Sequence, residues 1–134
     1  MTQPIWLKRV WPDAIHFQQL QRFGGLYGVR DEGIIDSALA RPRNQWVYQD
    51  QADLAMLAAA YGYGLARGHG YLDGNKRVAF VAMAVFLDIN GWNLEAPEPD
   101  VVRIMIAVAA GDLSEVDLAA WVGSHIAAIG DETS

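Results

Sequence analysis

Ten consecutive apolar residues, Val78 to Leu87, directly follow the polar run His69-Gly70-Tyr71-Leu72-Asp73-Gly74-Asn75-Lys76-Arg77. A run of that length is too short to cross a bilayer and reads as a core helix, here from about Asn75 to Asn90 with Gly91 as its C-cap. Its middle is apolar on every side, which predicts burial all round. The rest of the chain must then wrap this helix, with the polar run at its mouth. A helix N-terminus with free N–H groups and added positive charge is an anion site. A histidine shortly before it supplies a base. Together these features point to phosphate chemistry.

The remaining periodicities are helical. Pro12 suits a first helical position, with His16, Phe17, Leu20 and Phe23 on one face and Gly24-Gly25 as the stop. Asp31 caps a second helix carrying Ile34, Ile35, Ala38 and Leu39, which Arg41-Pro42 is expected to close. Asn44 to Asp50 is aromatic and β-prone and reads as a loop or small flap. Asp53 starts a third helix with Leu54, Leu57, Tyr61 and Leu65 in register. Gly62 and Gly64 weaken that helix and imply close packing on a neighbour. Trp92-Asn93-Leu94 reads as a short extended piece. Asp100 is expected to cap a helix with Val101, Ile104, Met105 and Val108, stopped by Gly111. Ser114 caps the last helix, with Leu113 and Leu118 as a staple and Trp121, Val122, His125, Ile126 and Ile129 as its buried face. Gly130 to Ser134 reads as a tail.

The expected fold is all-α: one compact domain over residues 1–134, a bundle of about six helices around a central buried helix.

Composition narrows the function. With 134 residues and a 52% hydrophobic share, the chain can build a core unaided. The absence of cysteine removes disulfides and thiolate metal sites and fits a cytoplasmic protein. Met1 to Val10 has no apolar stretch of the secretory type, and no segment is long enough for a membrane span. A net charge of −6 argues against a general nucleic-acid surface, although Arg67, His69, Lys76 and Arg77 make a local basic spot.

Gly-Asn-Lys-Arg by itself is an ordinary turn with solvated cations. A cluster of base, carboxylate and anion binders at the mouth of the core is costly unless those groups have partners. It is not a P-loop, because the glycine spacing differs and Asn75 precedes Lys76. His16, His69 and His125 form no zinc-ligand pair, and His16 and His125 read as satisfied core or rim residues.

The run resembles the signature of the death-on-curing (Doc) toxins, a branch of the Fic/Doc family. Flanking segments carry the resemblance further: Phe23-Gly24-Gly25-Leu26, Arg30-Asp31 with Gly33, Ser37 to Pro42, Arg67-Gly68-His69, and Phe86-Leu87 with Asn90-Gly91. It spans about residues 9 to 127. It implies a toxin of a toxin–antitoxin pair that moves phosphate from ATP to a threonine hydroxyl of a translation factor such as elongation factor Tu, stopping translation. Lys76 stands where the AMP-transferring relatives have glycine, and it resembles the kinase form. AMP transfer remains an alternative on the shared family scaffold, and a catalytically weak binding module because Phe80 and Val81 depart from the family pattern; Val78, in place of a frequent threonine, departs as well.

The resemblance assigns roles by position. His69 is the base for the target hydroxyl, and Asp73 holds Mg²⁺. Gly74 and Asn75 bring backbone and amide donors to phosphate. Lys76 and Arg77 neutralise phosphate charge, with Lys76 also catalytic and Arg67 a further cation. Trp46, Val47 and Tyr48 fall at the place of a flap that docks the target. Tyr71 replaces a usual phenylalanine, which is tolerated if its hydroxyl finds a partner. No self-inhibitory helix motif is visible, so the expected restraint is a Phd-like antitoxin acting in trans.

Overall fold

The structure is a computed structural model that describes residues 2–130. Its elements in order are α1 Val10–Phe23, α2 Glu32–Tyr48, α3 Leu54–Gly68, α4 Asn75–Ile89, β1 Trp92–Leu94, α5 Glu98–Ala110, α6 Glu115–Gly123 and β2 Ile126–Ala128. The fold is all-α, with only the small antiparallel pair β1–β2 as sheet, in which Asn93 faces Ala127. No helix among the described residues is long and apolar enough to cross a membrane. Gly130 is the last described residue, so the tail expected over 130–134 lies almost wholly outside the described residues.

Three helices start where side-chain caps predict. Asp31 accepts from Ile34 N, Asp53 from Met56 N and Ser114 from Asp117 N. Each cap satisfies an N–H that has no partner inside its helix.

Two helices share the centre. α3 packs on α2, α4, α5 and α6, while α4 packs on α3, α1, α5 and β1. Leu57, Ala58, Ala59, Ala60 and Tyr61 of α3 and Val78, Ala79, Ala82, Met83, Phe86 and Leu87 of α4 are fully buried. The expected contact of Gly62 is with Met83: a Cβ at Gly62 would stand 2.4 Å from the Met83 sulfur. α4 is not buried on every side, however. Phe80, Val81, Ala84 and Val85 are only half buried, and the first two line an open cleft.

Several boundaries differ from the sequence expectation. Pro42 does not close α2, which runs on to Tyr48 with the proline inside it. The helix persists because its packing continues past the break: Pro42 itself is buried, Trp46 packs on the core, and Arg41 and Gln45 both bond the Glu115 carboxylate of α6. That outweighs the one main-chain bond a proline removes. Residues 44–48 are therefore helix and not a loop or flap.

α5 starts at Glu98 rather than at an Asp100 cap, with Pro97 and Pro99 setting its first turn. α6 ends at Gly123, and Ile126 belongs to β2, where pairing with Leu94 replaces further helix. On α1, Ile15 takes the core position, and Phe17 and Phe23 stand about half exposed. Pro12 sits inside α1, which begins at Val10. Asn90 caps α4, with Gly91 following at φ 91°.

The candidate active site at the mouth of α4

α3 ends at Gly68, and the chain then turns through His69 in the left-handed conformation, φ 53° and ψ 48°. His69 is the only non-glycine residue at positive φ among the described residues. That geometry costs a residue with a Cβ on the order of 1 kcal/mol. The glycines on either side of it are fixed by α2. A Cβ at Gly68 would come within 2.5 Å of Ile34, and one at Gly70 within 2.5 Å of Ile35.

From Gly70 the chain runs beside Gly25–Arg30. Val29 and Tyr71 form an isolated antiparallel bridge, and Leu72 N donates to Gly28 O at 3.0 Å. Asn75 then folds the loop onto itself. Its Oδ1 accepts from Tyr71 N and its Nδ2 donates to Tyr71 O, both at 3.0 Å. The amide expected to reach phosphate is therefore buried and engaged with the loop. The donors left facing outward are the main-chain N–H groups that open α4, which has no side-chain cap.

Two aromatic side chains bind this loop to α1. Tyr71 is buried, and its hydroxyl donates to Asp13 Oδ1 at 2.7 Å. Burial pushes its ionisation far above the ordinary phenol range, and the Asp13 carboxylate adds to that shift. His16 is buried, with Nε2 3.1 Å from the Asp73 carbonyl and its ring stacked on Tyr71 at 4.2 Å and Tyr27 at 5.6 Å. Burial lowers its basicity, so the neutral ring donates to that carbonyl. His125 is likewise satisfied, with Nδ1 2.7 Å from Trp121 O.

Asp73 is exposed. Its Oδ1 accepts from Gly74 N at 2.9 Å, and its Oδ2 lies 3.4 Å from Leu26 N. A Cβ at Gly25 would sit 2.8 Å from that Oδ2, so only glycine lets the two segments approach. Asp73, Gly74, Lys76 and Arg77 line one end of a cleft of about 1110 Å³ between α1, α4 and α5. Its walls are apolar, from Phe23, Phe80, Val81, Val101 and Ile106, and Glu95 and Glu98 lie at its other side. Arg77 and Arg22 both stack on the Phe23 ring, at 4.5 and 5.2 Å from its centroid. A cationic end with free N–H groups joined to an apolar trough suits a phosphorylated ligand with a flat, uncharged portion.

The described residues hold no cluster of three or more His, Cys, Asp or Glu side chains able to cage a metal. The lone Asp73 carboxylate fits a magnesium ion carried in by phosphates, which needs only one or two protein carboxylates beside water.

The remaining expected residues lie elsewhere. His69 is exposed but does not line the cleft. Arg67 points to the end of α5, so close that a Cβ at Gly111 would come within 2.6 Å of its guanidinium. Trp46, Val47 and Tyr48 occupy the last turn of α2, about 20 Å along the helix from the Ile34–Ile35 turn that abuts the motif. The segment alongside the motif is instead Gly25–Arg30, whose ends carry the family resemblance but to which the sequence assigned no role at the site. Asp13, His16 and Arg30 also touch the loop, through contacts of long sequence separation that no local pattern announces.

The Fic/DOC family model matches residues 6–87, more than half of the chain and all of the motif loop. The chain belongs to the Fic/DOC family. "Toxin Doc" of Mycolicibacterium smegmatis is 43% identical over 111 residues, covering 79% of this chain and 84% of that protein. "Protein kinase doc" of Escherichia phage P1 is 32% identical over 101 residues, covering 75% and 79%. The Fic/DOC match stops at Leu87, so the α5 wall of the cleft lies beyond it.

Proposed function

We propose that this chain is a Doc-type toxin that transfers the γ-phosphoryl group of ATP to a hydroxyl of a translation factor, with a threonine of elongation factor Tu as the first target to test. The observation that carries the reading is the opening of α4. Uncapped main-chain N–H groups, Lys76, Arg77 and Asp73 meet at one end of an apolar cleft, on a loop whose histidine is held at positive φ. Two relatives named as a toxin and as a protein kinase support it.

Phosphoryl transfer asks mainly for position and charge neutralisation. Lys76, Arg77 and the α4 N–H groups would bind the phosphates. Asp73 would hold Mg²⁺, which supplies further neutralisation of phosphate charge. His69, exposed on the same loop but outside the cleft lining, would take the proton of the incoming hydroxyl. As that oxygen bonds to the γ-phosphorus, the bond to the β–γ bridging oxygen breaks and ADP leaves. Such a toxin requires restraint, and the partner we propose is a Phd-like antitoxin.

The test uses γ- and α-labelled ATP with Mg²⁺ and elongation factor Tu. Label is expected on the factor from γ-labelled ATP alone, and none with His69→Ala. Transfer of the α-label would replace this reading with AMP transfer. No label in either case, with growth arrest unchanged in His69→Ala, would leave a binding module.

A further inference from the structure

We propose that Arg30 is a positioning residue for His69, acting through the main chain; the inference rests on reading His69 as the base. The guanidinium donates from Nε to the His69 carbonyl at 2.7 Å and from Nη2 to the Gly68 carbonyl at 3.0 Å. These are the carbonyls that the end of α3 leaves without helical partners. The main-chain N–H groups of Arg30 and Asp31 both donate to the next carbonyl, Gly70 O, at 2.8 and 3.0 Å. Three consecutive carbonyls around the histidine are thus held from one side by two adjacent residues.

The left-handed backbone of His69 runs against its own preference and needs an external hold. The direction of its Cα–Cβ bond, and hence the reach of the imidazole, follows from φ and ψ. Releasing the fork would let His69 relax to negative φ and aim its ring at another face of the loop. Arg30 does not line the cleft, so its effect falls on the base and not on nucleotide binding. A planar fork spans two carbonyls in a way that a single ammonium does not.

The experiment compares full-length wild type, Arg30→Met, Arg30→Lys and His69→Ala. The Cα and Cβ chemical shifts of His69 report its backbone conformation without nucleotide. Transfer rates give kcat and KM for ATP. In Arg30→Met the shifts are expected to leave left-handed values. There kcat should fall about 10- to 100-fold with KM for ATP within about twofold of wild type. Arg30→Lys should lie between the two. Left-handed shifts retained in Arg30→Met together with wild-type kcat overturn the inference. So does a loss of rate that matches only the unfolded fraction seen in thermal melts. If Arg30→Met does not fold, the shifts and kcat of Arg30→Lys decide by the same criteria. An active His69→Ala overturns the base reading and this inference with it. An inactive His69→Ala beside a wild-type Arg30→Met removes this inference alone.

Discussion

The Tyr71 hydroxyl donates to Asp13 across 2.7 Å, and the same carboxylate oxygen accepts from Arg9 Nε at 2.9 Å. The motif loop is thereby tied to α1 through a phenol that stays protonated, because burial and the facing carboxylate both raise its ionisation. Tyr71→Phe removes the donor but keeps the ring against His16. Asp13 retains Arg9, so no charge is left unpaired. The expected cost is about 1.5–3 kcal/mol in urea unfolding, the range for a hydrogen bond to a charged acceptor. The transfer rate of the folded protein should remain near wild type, since phenylalanine is the usual residue at this place in the family signature. A fall in rate without a fall in stability would show that the hydroxyl serves the reaction.

His69 carries a conformational strain that glycine would not. His69→Gly should therefore raise the unfolding free energy by about 0.5–1 kcal/mol, because glycine adopts an αL helix end without a Cβ clash. With His69 as the proposed base, the same change should also abolish the proposed phosphate transfer. Denaturant midpoints and γ-label transfer on one preparation check both halves. A variant that gains no stability would mean that the surrounding bonds, not the local backbone preference, set the free energy there.

What could be read from the sequence was what is local. Asp31, Asp53 and Ser114 announce their helices because each cap bonds an N–H three residues on. The motif was legible because its residues are contiguous ahead of an apolar run, but the closure of Asn75 on Tyr71, which withdraws the amide from phosphate, was not. Pro42 misled because its local penalty is outweighed by contacts of α2 with α6, seventy or more residues away in the chain. The end of α6 was hidden likewise, as Ile126 pairs with Leu94 of β1. Arg30, His16 and Asp13 meet the motif across sequence separations of 39, 57 and 58, where periodicity carries no information.

The far end of α2 offers a negative control. Val47 and Tyr48 are 68% and 82% exposed on the last helical turn. Val47→Ser and Tyr48→Ala should each change stability by no more than about 0.5 kcal/mol. Neither should alter transfer to the protein target. A selective rise in KM for that target, with KM for ATP unchanged, would return these residues to target docking.

Gly62 tests the α3–α4 contact. Alanine there gains helix propensity of about 1 kcal/mol, but its methyl would stand 2.4 Å from the Met83 sulfur in a fully buried site. Overpacking of about 1–3 kcal/mol should win, leaving Gly62→Ala less stable than wild type. Shortening the partner relieves the clash. The double variant Gly62→Ala/Met83→Ala is therefore expected to be more stable than the sum of the single effects. Strict additivity across the cycle, measured by chemical denaturation, would mean that α3 and α4 separate freely.

His16 gives the fold an acid-side weakness whose sign is fixed by its burial. Desolvation lowers its pKa from 6.5, and the Asp73 carbonyl and the Asp13 and Asp73 charges only partly oppose this. In the unfolded chain the imidazole takes up a proton as the pH falls through about 6.5, while the folded site still refuses it. Between that pH and the lower folded value the unfolded state binds more protons, so stability falls with pH. Above about 6.5 both forms are neutral and the contribution is flat. Glutamine at position 16 does not titrate and can still donate to the Asp73 carbonyl. The difference in unfolding free energy between wild type and His16→Gln should therefore stay level above about pH 6.5 and narrow as the pH is lowered below it. Parallel profiles over that range would show that His16 binds its proton equally well in both states.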